Sequence, residues 1–254
     1  MDLKLADKIA VVNGASQGIG YAIAKTFAEE GARVAMAARR EPALSDAVAQ
    51  LREETGGDIV AIQGDIRRAE DCELIVAQAA EMFGGIDILV NNDGAPPLGP
   101  FMDFDDAEWA KAVDRNLMSV VRCIRAAVPH MRARGAGSIV NITGLSAIQP
   151  MPGFGLSVST WSGVIGLAKT LSLELAPAIT INTLCPGLVD TPRLRLVSEQ
   201  AQQSMDELAT GIPLQRIADP EEIASVVAFL ASPRGHYLTG TTIQVDGGLY
   251  KGTR

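Results

Sequence analysis

The chain has 254 residues, with 22 basic and 30 acidic side chains and a net charge of −8. A hydrophobic content of 47% excludes a disordered chain and allows a large core without disulfides. The acidic balance argues against binding to a nucleic-acid backbone, and no apolar run approaches the roughly 18 residues of a membrane span. Residues 1–8 lack the apolar stretch of a signal peptide, and the three scattered cysteines have no metal-ligand spacing. We therefore expect a cytoplasmic protein that binds no nucleic acid, membrane or metal.

Short apolar runs alternate with longer amphipathic segments along the whole chain. The runs predict strands at 8–13, 33–38, 58–63, 86–91, 138–142, 179–185 and 242–245. The segments between them predict helices at 19–30, 43–54, 70–83, 105–134, 158–176 and 220–231. Strands that alternate with helices form right-handed crossovers and a parallel sheet covered on both faces. With no linker or repeat, this pattern predicts one doubly wound, Rossmann-type α/β domain over residues 1–254.

A glycine-rich turn joins the first predicted strand to the first predicted helix. Its residues are Asn13-Gly14-Ala15-Ser16-Gln17-Gly18-Ile19-Gly20. Glycines at this spacing let the backbone turn tightly and approach a pyrophosphate, and the helix N-terminus offers N–H groups to the phosphates. A tight strand–helix turn without a ligand is the alternative. The position between a first strand and a first helix favours dinucleotide binding.

The spacing Gly-x-x-x-Gly-x-Gly resembles the short-chain dehydrogenase/reductase family, with Asn13 where that family usually has threonine. Further motifs match along nearly the whole chain. They are Asp65-Ile66 for adenine, Asn91-Asn92-Asp93-Gly94, the active-site residue Asn116, the cofactor segment Pro186-Gly187-Leu188-Val189-Asp190-Thr191, Thr239-Gly240 and Val245-Asp246-Gly247-Gly248. The resemblance implies a sheet of about seven strands, an alcohol or carbonyl substrate, and dimers or tetramers.

The end of the second strand bears on the choice of dinucleotide. A carboxylate there would bind a ribose 2′-hydroxyl and repel a 2′-phosphate. This sequence has Ala37-Ala38-Arg39-Arg40 instead. Two guanidiniums without an acid favour NADP(H) over NAD(H), and a solvated arginine pair is the alternative.

The catalytic positions of the family are altered in this chain. The resemblance implies a serine, a tyrosine thirteen residues later that exchanges the proton, and a lysine four residues further on. That lysine lowers the pKa of the phenol and holds the nicotinamide ribose. Counting from the fifth strand and along the next helix places Gly144, Ser157 and Trp161 at these positions. Only Asn116, which the resemblance assigns to a proton-relay water, is retained.

The residues that replace this machinery cannot perform its chemistry directly. A serine hydroxyl is a weaker acid and a shorter arm than a phenol, and the indole of Trp161 carries no charge. The indole could also fill the space of the nicotinamide ribose. Asp93, which stands where the family has alanine, would oppose a polyanion unless it is paired.

Other side chains offer weaker routes to a proton relay. A literal Tyr-x-x-x-Lys occurs at Tyr21 and Lys25, but on the first helix, where we expect a solvated face. Ser146 could reach the pocket if its loop bends. We expect Ser159 and Thr160 to miss the face of Ser157, since successive helical residues point about 100° apart.

The sequence therefore predicts an NADP(H)-binding, nominally alcohol/carbonyl oxidoreductase that is catalytically silent or uses an atypical relay around Asn116, Ser146 or Ser157. One alternative is an inactive partner subunit in a hetero-oligomer with a related, active chain. Another is a non-redox lyase or isomerase that uses the same pocket. The variable segment at 191–212 is mostly apolar or small and does not specify a substrate.

Overall fold

The computed structural model describes residues 1–94 and 96–253, apart from the side chain of Gln200, so Ala95 and Arg254 of the predicted domain lie outside the described residues. Its strands are β1 Ile9–Asn13, β2 Arg33–Ala38, β3 Ile59–Gln63, β4 Ile88–Asn91, β5 Gly137–Ile142, β6 Ile179–Pro186 and β7 Thr242–Val245. They form a parallel sheet in the order β3-β2-β1-β4-β5-β6-β7. This confirms the predicted doubly wound α/β fold.

Helices cover both faces of the sheet. They are α1 Gly18–Glu29, α2 Glu41–Thr55, α3 Ala69–Phe83, α4 Asp106–Val113, α5 Ser119–Arg134, α6 Gly155–Leu175, α7 Pro192–Ala201, α8 Met205–Thr210 and α9 Pro220–Ala231. Buried side chains of α1, α2 and α9 pack on one face, around residues such as Phe27 and Ile223. Those of α3, α5 and α6 pack on the other, around Phe83 and Met131. The strands carry near-continuous apolar runs because both faces are covered.

Two predicted segments differ from the structure. The helix expected at 105–134 is interrupted by a π-helical turn, Asp114–Met118, between α4 and α5. Such turns shift the helix register locally and are frequent at functional sites. The expected loop at 191–212 contains α7 and α8. The first is capped by Thr191, which accepts a bond from the Leu194 N–H at 3.2 Å, and the second begins with a capping box.

Buried asparagines join the carboxyl ends of three neighbouring strands. The Asn13 amide at the end of β1 donates to Asn91 Oδ1 at 3.4 Å, and the Asn91 amide on β4 donates to Asn141 Oδ1 on β5 at 2.8 Å. Strand order reverses between β1 and β4, which is where open α/β sheets bind ligands. These amides therefore form the floor of the expected cleft.

Within the described residues, no helix is both long and apolar enough to cross a bilayer.

Candidate active site

The glycine-rich turn has the backbone shape that its sequence predicts. Gly14 and Gly18 have φ values of +62° and +58°, a region that side chains disfavour. A Cβ on Gly20 would lie 2.3 Å from the Gly14 carbonyl oxygen, so only glycine fits there. The Asn92 amide donates to the carbonyl oxygens of Asn13 at 3.2 Å and Gly14 at 3.3 Å. Asn92 thus fastens the turn to the end of β4.

The helix α1 begins directly after this turn. Its N-terminus has no side-chain cap, so its first backbone N–H groups are available as donors. Its N-cap residue, Gln17, is exposed and makes no capping hydrogen bond. The first N–H groups of a helix carry partial positive charge and bind phosphates when no side chain occupies them. Ser16 and Ile19, which flank these donors, are half-buried. This arrangement fits the diphosphate of a dinucleotide.

The segment after β6 lies against this turn, as its motif predicts. A Cβ on Gly18 would lie 3.2 Å from Thr191 Cγ2, so the two residues are in contact although they are far apart in sequence. Gly187 N–H donates to the Val245 carbonyl at 2.9 Å, following Pro186 at the end of β6. Val189 is buried and forms a bridge with Ala218. These contacts hold the start of α7 beside the phosphate cradle.

The arginine pair after β2 is available to an anion. Arg39 and Arg40 are both exposed, and in the described part of the chain no carboxylate lies within the 4.0 Å of an ion pair. The Arg39 backbone is held by a bond from the Gln63 amide to its carbonyl oxygen at 3.2 Å. Both guanidiniums are therefore free to meet a ribose phosphate at the end of β2.

The predicted adenine contact at Asp65 is already bonded to another residue. Arg67 Nε donates to both Asp65 carboxylate oxygens, at 2.8 and 3.0 Å. These bonds lower the pKa of Asp65 below its usual range. Its neighbour Ile66 is nearly buried and lines the cleft. The apolar side chain of Ile66 is therefore more available than the Asp65 carboxylate for contact with an adenine ring.

The carboxylate of Asp93 has a partner, which the sequence left open. Arg115 Nε lies 3.8 Å from Asp93 Oδ2. Loss of solvent contact raises the pKa of Asp93, and the Gly94 N–H, Arg115 and Arg39 oppose that rise. The expected repulsion of a polyanion is therefore reduced by neighbouring cations.

The residues at the predicted serine and lysine positions touch each other. Gly144 follows β5, and Trp161 lies on α6. A Cβ on Gly144 would lie 2.8 Å from Trp161 Cζ3 and 3.3 Å from Cη2. The indole edge therefore occupies the space that any side chain at residue 144 would need. The contact shows why a glycine stands there.

Ser157 and Ser146 are buried rather than presented to the cleft. They are 1% and 3% exposed, and neither hydroxyl has a hydrogen-bond partner among the described residues. Neither residue is part of the cavity wall beside Trp161. The prediction that one of them acts in an atypical relay stays a prediction.

Asn116 is bonded to a residue that sequence reasoning set aside. It lies in the π-helical turn, is 4% exposed, and donates from Nδ2 to Thr160 Oγ1 at 3.1 Å. Its Oδ1 is buried and has no hydrogen-bond partner in the part of the chain that the structure describes. The expectation that Thr160 misses the face of Ser157 is wrong, because three residues of helix turn about 300° and return to nearly the same face. Counting three residues along the helix from Ser157 identifies Thr160 as a residue near the same face.

The cavity in front of Trp161 is small. The space that it leaves for the centres of water-sized molecules is about 20 Å³, enough for about one water, and the cavity is partly open to solvent. Its walls come from the ends of β4 and β5, the π-helical turn and α6, and consist of Ile66, Asn91, Asn92, Asp93, Gly94, Arg115, Asn116, Ser119, Val120, Ile142 and Trp161. Neither tyrosine nor lysine is among them. No cluster of three metal-ligating side chains occurs in the described residues.

Comparison with known proteins identifies the family. The family model described as enoyl-(acyl carrier protein) reductase matches residues 14–250. Human dehydrogenase/reductase SDR family member 4 is 38% identical over 248 residues, which cover 96% of this chain and 88% of that protein. The 3-oxoacyl-(acyl-carrier-protein) reductase of Staphylococcus aureus is 37% identical over 244 residues, covering 96% and 98%. This chain belongs to the short-chain dehydrogenase/reductase family.

Solved structures in this family share the fold closely. The L-sorbose reductase of Gluconobacter frateurii, complexed with NADPH and L-sorbose, superposes with a TM-score of 0.95 at 34% identity. The match covers 99% of this chain and 100% of that one. The NADPH-dependent reductase YwfH, involved in bacilysin biosynthesis, gives a TM-score of 0.94 at 27% identity, covering 97% and 100%.

The literal Tyr-x-x-x-Lys of this family member lies outside the cavity. Tyr21 is half-buried with its hydroxyl buried and unpartnered among the described residues, so the expectation of a solvated face is wrong for it. Desolvation, followed by the charge of Glu54, raises the pKa of Tyr21. Lys25 Nζ pairs with Glu54 Oε2 at 3.2 Å, linking α1 to α2. These residues serve packing between two helices.

The contact between Gly144 and Trp161 makes a testable prediction about stability. Gly144→Ser should destabilise the protein by about 1–3 kcal/mol, because its Cβ would press on the indole. In a Trp161→Ala background, the same substitution should lower the free energy of unfolding by much less. Urea unfolding of the four proteins forms a double-mutant cycle.

Gly94→Ser is the matched control for this cycle, since a Cβ there meets nothing within 4 Å. An equal cost of Gly144→Ser with and without the indole would contradict the steric coupling.

Proposed function

We propose that this chain is an NADP(H)-binding member of its family that is silent in the family's alcohol/carbonyl oxidoreduction. The observation that carries the proposal is the contact of the Trp161 indole with Gly144, at the positions predicted for the lysine and the serine. The side chain at the predicted tyrosine position, Ser157, is buried and outside the cavity wall. No group there combines an acidic proton with a neighbouring cation.

Other phenols and ammonium groups do not supply the missing pair. Of the three tyrosines, Tyr21 belongs to the α1–α2 contact and Tyr237 is fully exposed. Tyr250 lies in the C-terminal segment, whose Lys251 N–H donates to Gln149 Oε1 at 2.8 Å. That segment reaches the loop after β5, but none of its described residues lines the cavity.

The choice of NADP(H) rests on two supports. Arg39 and Arg40 stand exposed at the end of β2, where a 2′-phosphate would be recognised, and no acid replaces them. The similar structures of L-sorbose reductase and YwfH are described as an NADPH complex and as an NADPH-dependent enzyme. NADP(H), which carries a phosphate on its adenosine ribose, agrees with both the arginine pair and the similar structures.

The arginine pair predicts cofactor preference. Arg39→Gln combined with Arg40→Gln should weaken NADP⁺ binding about tenfold or more, since each guanidinium provides charged hydrogen bonds to the phosphate. Binding of NAD⁺ should change little. Calorimetric titration at fixed low salt measures both. Arg132→Gln, an exposed arginine on α5, is the matched control. An equal loss for both dinucleotides would contradict phosphate recognition.

The proposed absence of oxidoreductase activity predicts the outcome of a turnover assay. With NADPH and a panel of ketoses and 3-oxoacyl thioesters, the purified chain should oxidise no more NADPH than a protein-free blank, because neither a tyrosine nor a lysine is among the described residues that line the cavity. Sustained turnover would contradict silence. If that turnover were then lost in Ser146→Ala, Ser157→Ala or Asn116→Ala, an atypical relay would replace the proposal.

A second candidate function is that of a partner subunit. The edge strand β7 is half-exposed along its whole length, and Leu173 on α6 is 76% exposed. A sheet edge and an exposed leucine are surfaces that a second chain of this fold would cover. An inactive subunit would then act by holding an active relative.

Purification from the native host tests this second candidate. A related chain with an intact tyrosine and lysine should copurify in a fixed ratio, and Leu173→Arg should weaken that association. Leu74→Arg, at an exposed leucine on α3, is the matched control. Recovery of this chain alone, as a homo-oligomer or a monomer, would contradict the partner role.

A further inference from the structure

The two halves of the cleft differ in what they can hold. The strand order reverses between β1 and β4, so a dinucleotide would lie across that point with its halves over opposite sides of the sheet. One half would lie over β1, β2 and β3, and the other over β4, β5 and β6. The residues at the two sides can therefore be tested separately against the two halves of NADP.

The side over β1 and β2 fits a phosphorylated adenosine. The glycine turn has the strained backbone that a close phosphate needs, and α1 begins without a side-chain cap. Arg39 and Arg40 add two guanidiniums that have no ion-pair partner among the described residues, and Ile66 adds an apolar surface. Most of these contacts are made by backbone, and none depends on the altered catalytic positions.

The side over β4 and β5 does not fit a nicotinamide riboside. The indole of Trp161 forms part of the cavity wall there and is in contact with Gly144. The cavity in front of the indole has room for about one water-sized group, so a nicotinamide ring with its ribose would have to displace the indole to lie against Gly144. Among the described residues, the buried Asn116 Oδ1 has no hydrogen-bond partner, and Asn116 lines this space.

We infer that this chain binds the phosphoadenosine part of its nucleotide and excludes the nicotinamide riboside. This inference rests on the proposed function, in that it places a nucleotide on the same glycine turn. The ligand class is an adenosine with a 5′-diphosphate and a phosphate on its ribose. Trp161 is the residue that closes the other half.

Such a ligand has two common chemical sources. A 2′-phosphate is found in NADP, and a 3′-phosphate is found in coenzyme A and related carriers. The exposed arginine pair meets either phosphate at the end of β2. Titration with adenosine 2′,5′-bisphosphate and with adenosine 3′,5′-bisphosphate distinguishes the sources, and the tighter one identifies the natural ligand.

The test compares NADP⁺ with 2′-phospho-ADP, which lacks the nicotinamide riboside. In the unmodified protein the two dissociation constants should agree within about threefold. In Trp161→Ala, NADP⁺ should bind about tenfold more tightly, while 2′-phospho-ADP should be unchanged. Trp109→Ala is the matched control. The Trp109 ring packs edge-on against Phe101, with 6.1 Å between the ring centroids, and Trp109 is not part of the cavity wall. Trp161→Leu repeats the test if the alanine variant does not fold.

Each other outcome has a distinct meaning. If NADP⁺ binds the unmodified protein about tenfold more tightly than 2′-phospho-ADP, the riboside does enter, and the inference fails while the proposed function stands. If neither compound binds, both fail. If opening the cavity with Trp161→Ala or Trp161→Leu leaves the affinity for NADP⁺ unchanged, Trp161 is not the residue that excludes the riboside, and the inference fails.

Discussion

The contact between Trp161 and Gly144 is the constraint on which the character of this cleft depends. Protein interiors are close-packed, so an indole that reaches across from α6 needs a partner without a side chain. Gly144 provides that absence, and the cavity that remains has room for about one water. The two residues form one steric unit. A serine at 144 and a tryptophan at 161 would not fit together without a shift of the backbone or the ring.

Phosphate binding and proton transfer place different demands on a chain. The phosphate cradle is made of backbone donors, positive-φ glycines and an uncapped helix end, and Asn92 ties it to β4 through main-chain carbonyls. A proton relay instead needs specific side chains, with a matched pKa, in contact with one substrate atom. Substitutions on α6 therefore leave the cradle untouched. The same fold can therefore keep its phosphate-binding turn after the side chains of a proton relay have changed.

The parallel sheet and the motif positions follow from the sequence because they depend on local signals. Apolar runs, turn glycines and helix starts are readable along the chain, and Thr191-Pro192 and Ser204-x-x-Glu207 were readable signals for α7 and α8 as well. The π-helical turn around Asn116 could not be predicted, since one extra residue in a turn shifts the apolar period by a single position, which ordinary variation in an amphipathic segment conceals. The Gly144–Trp161 contact and the Asp93–Arg115 pair depend on tertiary approach. No spacing rule predicts either one.

A close structural match carries little information about chemistry when the reacting groups are few. Identities of 34–38% over nearly the whole chain accompany a shared fold and leave most side chains different. The proton relay that the family resemblance implies would occupy only a few positions, so a backbone that superposes at a TM-score of 0.95 leaves the identity of those few side chains undetermined. Function is thus decided by the side chains placed on a fold rather than by the fold. For this chain, family membership identifies the cleft, and in the inference that we propose the residue at position 161 determines how much of a ligand the cleft admits.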